Sequence, residues 1–99
     1  MKIKEKSIKT VIRNDLVNAD GIEYRYKLLM SKSKKVASYS LPLYSIEIEM
    51  RAKDGETTEC SVENVFSDVG KAIVFYERMI KNLATPIDLP YILEDEIYN

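Results

Sequence analysis

The sequence contains no histidine and no tryptophan, a single cysteine and only three glycines. Each absence removes a class of chemistry. Histidine is the usual general base near neutral pH and the commonest metal ligand, so its absence excludes His-dependent triads and dyads and the HExxH metal motif. One cysteine, Cys60, cannot form an internal disulfide, and zinc sites built on thiolates need several of them. Gly21, Gly55 and Gly70 stand alone, so neither GxGxxG nor GxxxxGK[ST] is present and no glycine-rich phosphate cradle is expected. No window approaches the ~20 consecutive apolar residues of a membrane span. The basic stretch from Met1 to Val17 never reaches an apolar run of signal-peptide length. The expectation is a cytoplasmic protein with no membrane partner, no cofactor, no metal and no catalytic residue.

What remains is an ordinary globular composition, 45% hydrophobic and 31% charged. A chain of 99 residues reads as a single domain over 1–99, with residues 1–6 as a flexible basic arm. Folding at this size buries roughly two-thirds of the unfolded chain's surface, enough for a core without disulfide or metal staples. The net charge of −1 hides an asymmetry. Residues 1–35 hold ten Lys/Arg against four Asp/Glu, while residues 86–99 hold Asp88, Glu94, Asp95 and Glu96 with no base. Two readings follow: the basic and acidic ends face each other or solvent, or the basic half is a surface for an anion.

Alternation with a period of two marks the first part of the chain. Ile8, Thr10 and Ile12 alternate with Lys9, Val11 and Arg13, and Ile22, Tyr24, Tyr26, Leu28 and Met30 alternate with Glu23, Arg25 and Lys27. Asn18-Ala19-Asp20-Gly21 between them predicts a hairpin turn, with glycine at a positive φ. Ile46, Ile48 and Met50 against Glu47, Glu49 and Arg51 predict a third strand, and Thr58, Cys60 and Val62 a fourth after the Asp54-Gly55 turn. Val36 to Tyr44 stays open between edge strand and loop, because Pro42 cannot donate to a ladder. Antiparallel pairing of the second and third strands would set Glu23, Arg25 and Lys27 against unlike charges, each pair adding ~0.2–1 kcal/mol.

The pattern then changes to three- and four-residue spacing. Val69, Ala72, Ile73, Tyr76, Met79, Ile80 and Leu83 form one apolar face of a helix over 67–84, with Ser67 as N-cap and Asp68 at the positive end of its dipole. Val74 and Phe75 widen that arc beyond what one sheet face requires, so the flank is expected to touch the last segment or a partner. Thr85-Pro86 breaks the helix. Asp88 then caps a short second helix that tolerates Pro90 in its first turn and faces inward with Leu89, Ile92, Leu93 and Ile97. The predicted fold is α+β: an antiparallel β-meander of about four strands covered by one long C-terminal helix and a short final helix.

Chemistry is thin. Asp88 with Glu94-Asp95-Glu96 has the carboxylates for a hard cation but not the spacing of a calcium loop, so a solvated acidic end is the simpler reading. Cys60 shares a face with Thr58 and Val62, which makes it a structural cysteine rather than a nucleophile. Tyr24-Arg25-Tyr26-Lys27 interleaves bases and aromatics as single-strand nucleic-acid binders do, but both tyrosines lie on the face of Ile22, Leu28 and Met30, where core is the plainer role.

Val62-Glu63-Asn64-Val65-Phe66-Ser67-Asp68, Thr85-Pro86-Ile87-Asp88-Leu89, Ile92-Leu93-Glu94-Asp95 and the strand runs Tyr24-Arg25-Tyr26 and Ser45-Ile46-Glu47-Ile48 carry a likeness. Over about 75 residues the chain resembles a small family, a domain of unknown function, from Firmicutes and clostridia. It departs from that pattern near Asp88, where histidine is expected, and near Ser45, where glycine is. The resemblance implies the meander-and-helices fold and a Gram-positive cytoplasm, and no activity.

The sequence therefore reads as a non-enzymatic protein-interaction or regulatory module, its partner another protein or a second copy. The alternative is a weak nucleic-acid binder using the basic N-terminal half. Candidate contact residues are Val74 and Phe75 on the helix and Lys32, Lys34 and Lys35 in the basic loop.

Overall fold

A computed structural model describes residues 9–32 and 42–98. Four strands, β1 (Lys9–Ala19), β2 (Ile22–Lys32), β3 (Pro42–Arg51) and β4 (Thr57–Phe66), form an antiparallel sheet in sequence order. Helices α1 (Val69–Lys81) and α2 (Leu89–Tyr98) follow and cover one face. This is the expected α+β meander. Its inward side chains, Tyr24, Tyr26, Leu28, Tyr44, Ile46 and Ile48, meet Ala72, Phe75, Tyr76 and Met79 of α1 and Leu89 and Leu93 of α2 in one core. The expected basic arm, residues 1–6, lies outside the described residues, as do residues 36–41 of the stretch left open.

The turns form where the sequence marks them. Asp20 and Gly21 take φ of 54° and 78°, the doubly positive geometry that suits the twist of a two-residue hairpin. Pro42 opens β3, which is a central strand and not an edge. Proline is tolerated there because the first residue of a strand can forgo its ladder donor.

Register fixes the outer face. Glu23 stands opposite Arg51, Arg25 opposite Glu49 and Lys27 opposite Glu47, so all three unlike pairs face each other across β2 and β3, with Arg25 and Glu49 4.0 Å apart. Across β3 and β4 the pattern reverses, with Glu49 opposite Glu59. Like charges directly opposed weaken a ladder by a comparable amount.

Two irregularities reshape what simple alternation predicts. In β1 the register slips between Val11 and Arg13, making Ile12 an extra residue. Beyond it Arg13, Asp15 and Val17 pair with Leu28, Tyr26 and Tyr24 and join the helix side, while Leu16 turns outward and is half exposed. In β4 the register slips around Asn64, which takes a φ of 53°. Its backbone N–H donates to Ser45 Oγ at 2.9 Å and its Oδ1 accepts from the Ser31 hydroxyl at 3.1 Å. Lys9 also reaches Glu63 at 2.7 Å, joining the two edge strands across the coiled end of the sheet.

The helices begin and end differently from the sequence expectation. Asp68, not Ser67, is the N-cap of α1: its Oδ1 accepts from the N–H groups of Gly70 at 2.8 Å and Lys71 at 3.2 Å. A carboxylate satisfies two orphan donors and complements the dipole as well, so it outcompetes the neighbouring hydroxyl. The helix stops at Lys81, short of Ala84. Leu83 sits at φ 53°, and the Leu83 and Ala84 N–H groups return to the Ile80 and Met79 carbonyls, which is a Schellman stop with leucine in the usual glycine place. Asp88 does not cap forward into α2. Its Oδ2 accepts from Thr85 N–H at 3.1 Å while its own N–H donates to Thr85 Oγ1 at 3.3 Å, a reciprocal capping box with Pro86 in the first-turn position where its missing donor is harmless.

The buried arc of α1 is rotated toward Phe75 relative to the expected one. Ala72, Phe75, Tyr76 and Met79 are fully buried, Ile73 and Ile80 half-buried, and Val69 is 44% exposed. One residue turns a helix by about 100°, so including Phe75 moves the centre of the arc away from Val69. Replacing Asp68 by alanine should cost about 1 kcal/mol in urea denaturation. Ser67→Ala should stay within about 0.5 kcal/mol. Equal losses from the two would return the cap to Ser67.

Candidate interaction surface

Two tyrosines tie the layers together beneath the helices. The Tyr26 hydroxyl, fully buried, donates to the Ala84 carbonyl at 2.8 Å, the oxygen that the Schellman stop swings over the sheet. The Tyr76 hydroxyl lies 2.8 Å from Asp15 Oδ2 and 2.9 Å from the Tyr26 carbonyl, its one proton shared between two acceptors. Arg13 lies with its guanidinium carbon 5.3 Å from the Tyr76 ring centroid and pairs with Glu77 at 3.1 Å. Burial raises the pKa of both phenols. Tyr26 is pushed up to about 12, with smaller contributions from the charges of Tyr24 and Asp88. Tyr76 is pushed higher still, first by burial and then by its hydrogen bond to Asp15. Both are held as neutral hydrogen-bond donors.

Polar groups of the interior are thus committed to structure, and the available surface lies outside. Along α1 the solvent side carries Lys71, Val74, Arg78 and Lys81, with Val74 60% exposed. Along α2 and the turn before it, the solvent side carries Ile87, Tyr91 and Glu94, with Ile87 69% and Tyr91 70% exposed. α2 runs back along α1, since Asp88 shares a hollow with Asn82, Ile92 with Phe75 and Met79, and Glu96 lies with Lys71 and Val74 toward the start of α1. Between them is a hollow of about 260 Å³ with Phe75, Met79 and Ile92 in its floor and Arg78, Asn82 and Asp88 at its mouth. Asp88 lines it and Glu94 does not.

The expected contact residues separate. Val74 is exposed as anticipated. Phe75 is a correction: it is 1% exposed and packs on Phe66 with ring centroids 5.3 Å apart, so it serves the core and cannot be touched from outside. The flank that it widens is filled from within the chain. Lys32 is exposed at the end of β2, and Lys34 and Lys35 lie outside the described residues. Tyr24 and Tyr26 are buried and stacked on each other, centroids 6.3 Å apart, and cannot receive bases. Cys60 is free and half-buried on the helix side.

Ile87 and Tyr91 were not singled out from sequence. Their four-residue spacing opposite Leu89 and Leu93 was the available signal, hidden because attention goes to the apolar residues that can be buried. The sheet edges are less open than a bare meander would leave them. Each edge strand carries a bulge, and β1 also turns Arg13 and Asp15 inward onto α1, devices that discourage strand addition.

Fold and surface together define a small antiparallel sheet with a two-helix cover whose ridges carry exposed apolar and charged side chains. Residues 5–99 match the model of a family described as a family of unknown function (DUF6514), and the chain belongs to that family. No curated protein and no solved structure matches it. No helix among the described residues is long and apolar enough to cross a membrane.

Tyr26→Phe should cost about 1–2 kcal/mol in urea denaturation, because the Ala84 carbonyl is left buried without its donor. The same hydroxyl predicts an alkaline limit. An unfolded tyrosine ionises near 10 and the folded one near 12, so between those values the unfolded chain binds fewer protons and stability falls as pH rises. Below about pH 10 this contribution is fully present. The variant should show a shallower decline in alkaline melting, with Tyr76 supplying what remains. An unaltered slope would remove Tyr26 from this account.

Proposed function

We propose that the chain is a non-enzymatic protein-interaction module, regulatory or accessory in role, working in a Gram-positive cytoplasm. The observation that carries this reading is the helical cover: three large apolar side chains, Val74, Ile87 and Tyr91, stand 60–70% exposed on ridges that also hold unlike charges. Single exposed apolar residues need no explanation, but a layer that presents three of them with polar residues at their rim has the character of a contact surface. The phenols, which would have to do the work in a protein without histidine, support it too, since both are fastened as neutral donors. Nucleic-acid association draws less support, because the aromatic platform it needs is core.

A tagged chain presented to Gram-positive lysate, with and without nuclease, and eluted through a salt gradient tests this. The expected result is a stoichiometric protein that survives nuclease and is lost when Val74 is changed to glutamate, with the variant's thermal melt unchanged. Retention that disappears with nuclease or at modest salt would replace the reading with phosphate binding, whose affinity falls steeply with ionic strength.

A further inference from the structure

We infer that the helical cover is the face by which two copies of this chain pair, α1 of one lying on α2 of the other. The inference rests on the interaction-module reading and names its partner. It starts from how charge is divided between the helices. On α1, Glu77 is drawn to Arg13 and Arg78 to Glu96, which leaves Lys71 and Lys81 as the bases flanking Val74. On α2 the solvent ridge has no base, and Glu94 follows Tyr91 along it, with Ile87 in the turn just before the helix. One helix thus offers an apolar side chain between lysines, and its neighbour offers two apolar side chains beside a carboxylate.

Placed side by side, two such ridges are self-complementary. A two-fold axis parallel to the helices and between them carries α1 of one copy over α2 of the other, and by the same operation α2 over α1. A closed two-fold contact requires one patch that matches itself in this way. The opposite direction of the two helices within a copy means that crossed pairs also run oppositely. Exposed ion pairs add little affinity, so Val74, Ile87 and Tyr91 supply the apolar contact while the charges set partner and orientation. The alternative route to a dimer, strand addition at a sheet edge, is the one the two bulges discourage.

Charge exchange between copies tests this. Lys71→Glu with Lys81→Glu makes both ridges acidic, and Glu94→Lys makes both basic; all three positions are exposed, and thermal melting checks that each variant folds. Light scattering on size-exclusion eluates should give a dimer for the unaltered chain. Each variant alone should dissociate at least ten-fold more readily, and an equimolar mixture of the two should pair again. A chain that stays monomeric at every concentration overturns the inference while leaving the module reading to the lysate experiment, where a different protein would be captured. A dimer that neither variant weakens places the contact elsewhere, and weakened variants that do not pair on mixing rule out the exchange of ridges; either result overturns it.

Discussion

Tyr26 holds this fold together by being used twice. Its side chain leaves the middle of the sheet and fastens the Ala84 carbonyl just past α1, while its backbone carbonyl receives the Tyr76 hydroxyl from the helix itself. One residue in a central strand therefore fixes both the height of α1 and the point where it ends. Apolar burial pulls the helix onto the sheet but does not choose its position along it, because hydrophobic contact is non-directional. Buried hydrogen bonds do choose, since a polar group that misses its partner in the interior costs about 1–3 kcal/mol. The turn to α2 starts from the same place, and so the second helix inherits its location from the first.

The sheet and the cover divide their roles. On the outer sheet face unlike charges of β2 and β3 stand opposite one another, while Glu49 faces Glu59 across β3 and β4. The edges are interrupted by bulges at Ile12 and Asn64. What these leave is the helical layer, whose charges are separated between two helices rather than cancelled along each. Val11 and Leu16 of β1 are about half exposed, and the most exposed large apolar side chains, Val74, Ile87 and Tyr91, belong to the helical layer.

Much of this was legible in the sequence. Alternation placed β2 and the bulk of β3 and β4, Asp20-Gly21 gave the hairpin, and Glu23, Arg25 and Lys27 announced their cross-strand partners. The failures share a cause. A bulge adds one residue without leaving a compositional mark, so the phase of β1 after Ile12, and with it the inward turn of Arg13 and Asp15, depends on what β2 pairs with. Phe75 is surplus to one sheet face, and the choice between the two occupants expected on its flank, the last segment or a partner, is decided only by contacts made within the chain: it packs on Phe66 and is buried. Ser67 and Asp68 are both good caps, and only the backbone conformation decides between them. Thr85 and Asp88 satisfy each other, a reciprocity that neither residue shows by itself. For the candidate surface, Val74 was visible as an apolar residue off the buried stripe, whereas Ile87 and Tyr91 needed the orientation of α2.

The facing acids Glu49 and Glu59 give the molecule a loose corner. The tyrosine fastenings involve β1, β2, α1 and the turn after it, and none reaches β4. Near Asn64, β4 is pinned by Ser45, Ser31 and Lys9, whereas at its Thr57 end it has the ladder and the local hydrogen bonds of the 52–56 turn, with two carboxylates facing each other across the seam. Local opening proceeds where favourable contacts are fewest. Strand fraying there would unzip the β3–β4 hairpin from its turn and uncover Cys60, while β1 to β3 and the helix stay clasped. The thiol's accessibility to solvent is then governed by the breathing of one hairpin and not by the stability of the whole domain.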